Sequence, residues 1–585
     1  MTPVTSMILR RIRMPLLALI TVYSISILGL VLTPGVDDQG NPWQVTFFQA
    51  FYFVSYTATT IGFGEIPYPL NNAQRLWVLL TIYITVTAWF YAIGKILSLI
   101  QDKTFRDAVT RARFRRSVRF IDKPFYLVCG FGETGNAMVN ALTEENYRAV
   151  VVDIDPENLN ELKLNELPVF VPSITGDAAD PDTLELAGVR HHLCRGVIAV
   201  TPSDAVNLKI AITSKLLHPD IKVACRSEIK EYEQNMLSFG TDYIVNPFET
   251  FANIFAMVMH SPSLHLIYDW LTGAPNTKLS DPVYFREGHW VLCSFGRFGK
   301  ELFRKLAKTN IRTTVIEASI ELRAEFESMP ESEGHQFITG TGFDAETLTR
   351  ADIQHSAGII AGTDNDSNNL SIIMTARALN RDVFVVARQN QYRNHALYSA
   401  ANANLVMRPR EITARKIRFL FLAPMMIDYL GLASRQDAQW ANIVISRLSA
   451  VVGDYRPNIW SVIINRERSP AVAAGLEYGR TITVGHLTTD PAIHGNNLKC
   501  VPLLLLRNSE HILMPEAGVK INAFDRILFC GTRDAENSML WTVRMMNGLN
   551  YVMTLQDEPE SWVWRMIYRY THRTERRRKE RQIEQ

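Results

Sequence analysis

The chain has 585 residues, too many for one domain and enough for roughly three to five units of the usual size. Hydrophobic residues make up 47% of it and charged residues 21%, an ordinary soluble balance, so any membrane-embedded part is a minority of the chain. The formal net charge of +2 gives no global reason to expect nucleic acid as a partner.

The six cysteines, Cys129, Cys194, Cys225, Cys293, Cys500 and Cys530, are scattered through apolar stretches without CxxC spacing. That pattern argues against a zinc site or a disulfide framework and fits a reducing cytosol. His191, His192 and Cys194 lie close together but lack paired ligand spacing, so they read as a loop or helix end and no metal site is assigned.

In chain order, the first predicted element is a membrane crossing over 12–33, because Leu16 to Leu32 is a nearly unbroken apolar run. A signal peptide is the competing reading. Against it, no small-residue cleavage site follows, and a second apolar stretch from Leu76 to Ile100 predicts another crossing over 74–101. Arg10, Arg11 and Arg13 precede the first crossing, Lys103, Arg106, Arg111, Arg113, Arg115, Arg116 and Arg119 follow the second, and Pro34 to Ala73 holds no Lys or Arg. Positive charge stays inside, so both termini are expected in the cytosol, in a multi-pass protein of the cell inner (plasma) membrane. The outward segment is rich in aromatics (Phe47, Phe48, Phe51, Tyr52, Phe53) and predicts a re-entrant helix over 44–59. Backbone at membrane depth is tolerated only where protein buries it or water lines it, which points to a pore.

The re-entrant segment ends in Thr59-Thr60-Ile61-Gly62-Phe63-Gly64-Glu65, which resembles the potassium-channel filter motif, TVGYG in its commonest form. Alternate glycines allow backbone conformations closed to other residues, so successive carbonyls can turn toward one axis. The resemblance implies that Thr60, Ile61, Gly62, Phe63 and Gly64 from four copies replace the water shell of K+, the transported ion. Ile61, Phe63 and Glu65 stand where Val, Tyr and Asp are more usual, and Phe63 lacks a phenol oxygen to brace the filter from behind. A Gly-rich external turn is the alternative for GFG alone, but the aromatic run before it and the crossing after it favour a filter. Within the second crossing Gly94 is suited to a bend, and Ile93, Leu97 and Ile100 are candidates for a gate, although ordinary helix packing would use the same residues. No Arg-rich helix precedes the pore, so no voltage sensor of the usual kind is expected.

Beyond a basic linker, Tyr126-Leu-Val-Cys-Gly130 reads as a buried strand followed by Gly130-Phe-Gly132-Glu133-Thr134-Gly135 and a helix through Leu142. This is GxGxxG in its informative context: a tight turn at the first glycine, pyrophosphate approach at the second and helix-on-strand packing at the third. Asp153, with Ile154 after it, ends the next strand 21 positions beyond Gly132, the spacing of a ribose-hydroxyl acceptor, and favours NAD or an adenosine nucleotide over NADP. Asp155 is the competing acid.

The pattern repeats. Val291-Leu-Cys-Ser294-Phe-Gly296-Arg297-Phe-Gly299 matches the first strand and turn 164 positions later, and Glu317 follows Gly296 by 21. Gly176-Asp177 matches Gly340-Thr341, again 164 apart, while Thr201, Asp204, Asn207 and Arg226 match Thr363, Asp366, Asn369 and Arg388 at 162. A duplicated domain follows. Ser294 replaces Gly130, leaving open whether the second copy binds a nucleotide or serves as scaffold. The cofactor-binding candidates are Gly130, Gly132, Glu133, Thr134, Gly135, Asp153, Ile154, Gly176, Asp177 and Arg226 in the first copy and Gly296, Arg297, Gly299 and Glu317 in the second.

A two-crossing pore with a GFG filter, joined to tandem Rossmann units, resembles the prokaryotic potassium channels with RCK (regulator of K+ conductance) domains. The resemblance extends through the strand-rich stretch from Val501 to Thr532. It implies a transmembrane pore over 1–101, a linker over 102–120, a first RCK unit over 121–280, a second over 281–430, a small α+β lobe over 431–556 and a basic tail over 557–585. It further implies a homotetramer in the lipid bilayer with a cytosolic gating ring, and ligands drawn from NAD, adenine nucleotides (ADP, ATP) and divalent cations such as Ca2+. Asp204 and Asp366, in strand-end loops, are the carboxylates considered for a divalent ion. A membrane-anchored dehydrogenase is the rival from another class, but no HExxH, GxSxG or SxxK constellation is present. A transporter subunit related to Trk or Ktr systems is the second rival. Those systems usually keep the RCK units on a separate chain.

Overall fold

Apolar runs capped by polar residues set the N-terminal architecture. In a computed structural model that describes residues 3–64, 68–273, 277–309, 311–493 and 495–554, with side chains from Ile12 onward, helix α1 spans Pro3–Leu32 and passes unbroken through Pro15. The expectations attached to Glu65, to the side chains of Arg10 and Arg11, and to the tail over 557–585 lie outside the described residues.

Helix α2 (Phe47–Ala58) starts where Thr46 and Gln49 form a capping box, and α3 (Asn72–Gln101) starts where Asn71 and Gln74 form another. The caps place α2 three residues later and α3 two residues earlier than the apolar pattern alone suggested. Ile12–Leu32 and Asn72–Gln101 are each long and apolar enough to cross a bilayer. The two helices approach closely because Gly29 leaves room for the Trp77 ring: a Cβ there would lie 2.0 Å from it. Trp77 Nε1 then donates to Ser26 O at 3.0 Å, and Trp89 Nε1 to Tyr23 OH at 2.9 Å. The predicted linker is itself helical, α4 (Lys103–Arg119), with Asp102 as its N-cap.

The α/β part contains two six-stranded parallel sheets. The first uses Phe125–Cys129, Arg148–Asp153, Ser173–Thr175, Cys194–Ala199, Lys222–Arg226 and Tyr243–Val245; the second uses Trp290–Cys293, Thr313–Glu317, Gln336–Thr339, Gly358–Ala361, Phe384–Arg388 and Leu405–Met407. Numbering each set from its own first strand, both sheets run 3-2-1-4-5-6, the doubly wound dinucleotide-binding order with its switch point between strands 1 and 4. The first strands are buried throughout, as parallel strands covered on both faces must be.

The helices that follow the sheets are exchanged. Phe248, Phe251 and Phe255 on Pro247–His260, which follows the first sheet, pack into the core of the second unit with Trp290, Phe295 and Phe298. Ala414 and Ile417 on Pro409–Leu422, which follows the second sheet, pack into the core of the first with Tyr126, Val128 and Met138. Each unit therefore completes the other's core, a feature that no local pattern predicted. The C-terminal region holds a four-stranded antiparallel sheet in the order Asn458–Ile463, Arg526–Gly531, Cys500–Arg507, Glu510–Leu513.

Candidate functional site

The segment after α2 alternates in backbone hand. Thr60, Gly62 and Gly64 have φ of 62°, 66° and 94°, while Ile61 and Phe63 between them are not left-handed. Alternation of this kind turns successive carbonyls toward one side of the chain, and an added Cβ at Gly62 or Gly64 would meet nothing within 4 Å, so backbone conformation rather than crowding selects glycine there. Ile61 N donates to Tyr56 O at 2.9 Å, closing the turn out of the helix. The missing phenol of Phe63 is replaced from elsewhere: the buried Tyr56 hydroxyl, on α2, donates to Gly64 O. Phe63 stacks on Tyr52 with centroids 6.4 Å apart and meets Tyr56 edge-on at 5.5 Å. α2 ends at Ala58, so the negative end of its dipole adjoins this loop, the polarity that favours a cation.

Of the gate candidates, Ile93, Leu97 and Ile100 are exposed in the single chain, and α3 continues as helix through Gly94, where an added Cβ would meet nothing. Their apolar faces point away from the subunit's own core.

In the first Rossmann unit, Gly130 has φ 97°, and a Cβ on it would come within 3.0 Å of Thr201 N. A Cβ on Gly135 would lie 2.0 Å from Gly130 O, so helix α5 (Glu133–Glu144) can reach the strand only as glycine. Gly132, the N-cap of α5, is different: its Cβ position is open. An open glycine at a helix N-terminus is the cradle a pyrophosphate requires.

Asp153 is buried, and its carboxylate accepts from Phe131 N, from Asp155 N at 2.7 Å and from Asn158 Nδ2 at 3.2 Å. A carboxylate offers about four acceptor positions, so one remains for a ribose hydroxyl. Asp155 instead caps the next helix through Glu157 N at 2.9 Å. Ile154 is exposed beside Asp153, an apolar surface suited to a base. Gly176 N bonds Asp153 O at 2.9 Å, and Asp177 turns its own loop by accepting from Ala179 N at 2.8 Å. Thr134 is buried on α5. Arg226 and Glu133 are directed elsewhere. The Arg226 guanidinium pairs with Glu228, and Glu133 pairs with Arg410 at 2.9 Å.

The second unit reproduces the geometry with a harder residue. Ser294 adopts φ 88°, a conformation unusual for a residue with a side chain, and its hydroxyl accepts from Gly296 N at 3.4 Å. A Cβ on Gly299 would lie 2.1 Å from Ser294 O. Glu317 accepts from Phe295 N at 2.7 Å and Ser319 N at 3.1 Å, the same support that Asp153 gives. Arg297 does not line an open turn: it pairs with Glu228 of the first unit at 2.9 Å and lies over Phe248.

The polar residues shared by the repeats prove to be clamps. Asn207 bonds Thr201 at both main-chain groups and reaches Arg226 O at 3.0 Å; Asn369 does the same with Thr363 and Arg388 O. Asp204 and Asp366, the carboxylates considered for a divalent ion, hold loops of their own units. Asp204 Oδ2 accepts from Ser227 Oγ, Glu228 N and Ile229 N, and both oxygens of Asp366 are engaged, by Asn390, Gln391, Asn394 and Tyr398. Among the described residues no group of three or more His, Cys, Asp or Glu is placed to hold a metal, and the expectation of Ca2+ finds no support. The cysteines are buried, and burial pushes Cys194 and Cys500 up to about 12, which keeps their thiols protonated.

Together these features define a membrane pore domain followed by two dinucleotide-type regulatory domains. Sequence comparison agrees: residues 16–102 match the ion channel family, and residues 126–247 and 290–409 each match the TrkA-N domain. The chain is homologous to archaeal potassium channels that carry RCK domains. It is 27% identical over 204 residues to probable potassium channel protein 2 of Methanocaldococcus jannaschii, covering 35% of this chain and 58% of that protein. To potassium channel protein 1 of the same organism it is 29% identical over 202 residues, covering 34% and 59%. The chain thus spans less than two thirds of these curated relatives. A solved structure described as the GsuK channel bound to NAD aligns over 92% of this chain and 99% of its own, at 15% identity and a TM-score of 0.46.

Proposed function

We propose that this chain is the subunit of a homotetrameric potassium channel of the plasma membrane, with both termini in the cytosol, whose opening is set by a nucleotide held in the first Rossmann unit. The observation that carries the reading is the alternating backbone from Thr60 to Gly64, braced by the Tyr56 hydroxyl. A single copy lines one side of an axis. Four copies supply the ring of carbonyls that replaces a dehydrated K+ shell.

The regulatory half of the proposal rests on Gly130, Gly132, Gly135 and Asp153. The open Gly132 and the α5 N-terminus suit a pyrophosphate, and the acceptor position left on Asp153 suits a ribose hydroxyl, so NAD or ADP is the ligand of choice. A ligand biases a gate only by unequal affinity for its open and closed states. If each of four sites prefers one state tenfold, the total is about 5.6 kcal/mol, enough for a nearly complete shift. The chain passes directly from α3 through Asp102 into α4, so a strain applied to α4 acts on the pore-lining helix by covalent connection.

Purified protein in planar bilayers tests both halves. A K+-selective current whose open probability changes with NAD or ADP is expected. Equal passage of Na+ and K+ removes the filter reading, and a current indifferent to saturating nucleotide removes the gating reading.

A further inference from the structure

Where the exchanged helices meet, they line a half-open cavity of about 460 Å³ that neither glycine turn uses. Its walls are largely apolar: Met257 and Leu264 come from the helical hairpin after the first sheet, and Phe419, Ile427 and Leu430 from the hairpin after the second. One charged group in this wall lacks a counter-charge. Lys416 Nζ donates to Thr250 Oγ1 at 3.2 Å, and no ion pair is formed by it among the described residues. Burial holds its pKa below the ordinary lysine value, only partly offset by the more distant Glu249 and Glu233. The adjacent Arg415 is already matched, by Glu411 at 2.9 Å and Asp269 at 3.3 Å.

A partly buried ammonium without a carboxylate is costly, and a small hydrated anion would leave the apolar wall unfilled. A monoanion with an apolar body satisfies both, and the cavity falls within the size range of small-molecule sites. We propose that it binds a single-chain carboxylate of about ten carbons, a fatty-acid type of ligand, with the carboxylate on Lys416, whose ammonium has donors to spare beyond Thr250, and the chain between Met257, Leu264, Ile427 and Leu430. The two walls belong to different hairpins, so such a ligand fixes the angle at which the helices cross. It acts independently of the nucleotide turns.

Photolabelling of the full chain in lipid nanodiscs with a diazirine analogue of decanoate tests this, with labelled residues read by mass spectrometry. Labels are expected at Met257, Ile427 or Leu430, displaced by decanoate at concentrations at least tenfold lower than by decanol. Lys416→Met should lower them tenfold or more, while Lys416→Arg keeps them within about threefold of wild type. A Cβ at Gly431 would meet nothing within 4 Å, so Gly431→Leu projects into the cavity and should abolish these labels without touching Lys416. Labelling of α1 and α3 from the bilayer reports that each variant is intact. Labels confined to the membrane helices, equal displacement by the alcohol, or labels surviving in both Lys416→Met and Gly431→Leu would overturn the proposal.

Discussion

Three glycines of one motif carry different burdens, and substitution separates them. Gly135→Ala forces a Cβ to 2.0 Å from Gly130 O, so the α5 contact must open; loss of thermal stability of several degrees and loss of NAD binding are expected together. Gly132→Ala meets nothing in the protein, so the melting temperature should stay within about 1 °C while nucleotide affinity, read by calorimetry, falls tenfold or more. In the pore, Tyr56→Phe removes only the hydroxyl that holds Gly64 O. A hydrogen bond of that kind contributes about 1 kcal/mol, and the permeability ratio of K+ to Na+ measured from reversal potentials should drop. At Asp366, burial raises the carboxyl pKa, but donors from Asn390, Asn394 and Gln391 outweigh it and hold the pKa below the usual aspartate value. The stability it supplies is therefore present above the unfolded-state pKa and is lost as pH falls through the folded one. Asp366→Asn should destabilise the second unit by on the order of 2 kcal/mol at neutral pH, and that difference should shrink in acid.

At the scale of elements, the exchanged helices make a statement that sequence order hides. Phe255 belongs to the segment after the first sheet, yet it packs edge-on against Trp290 of the second with centroids 5.7 Å apart. Phe255→Ala should cost about 3–5 kcal/mol, and hydrogen exchange should rise first in Trp290–Cys293 rather than in Phe125–Cys129. Protection lost equally in both sheets would contradict an exchange of this kind. The apolar runs and both glycine turns were legible in the sequence because each is a local pattern of a few residues, whereas the caps at Thr46, Asn71 and Asp102 emerged only with the helices they start. The partners of the Pro247–His260 and Pro409–Leu422 helices were not, since an apolar face specifies that it will be buried and not against what.

Across the whole molecule, a chain with two crossings and two repeats was determined by the sequence alone: the apolar runs, the asymmetry of basic residues, the GFG loop and the 164-residue period are all countable. So was the candidate nucleotide site, because the chemistry of a phosphate cradle demands glycines at fixed spacing. Tertiary structure alone decided how the roles are shared. It made Asp204 and Asp366 loop clamps, directed Glu133, Arg226 and Arg297 into ion pairs, and supplied the Tyr56 hydroxyl where Phe63 lacked one. The physical reason is the same in each case. A spacing rule fixes what a backbone can do locally, whereas a polar side chain's role depends on which donor, acceptor or charge the folded chain brings within about 3 Å of it, and that is set by segments far away in sequence.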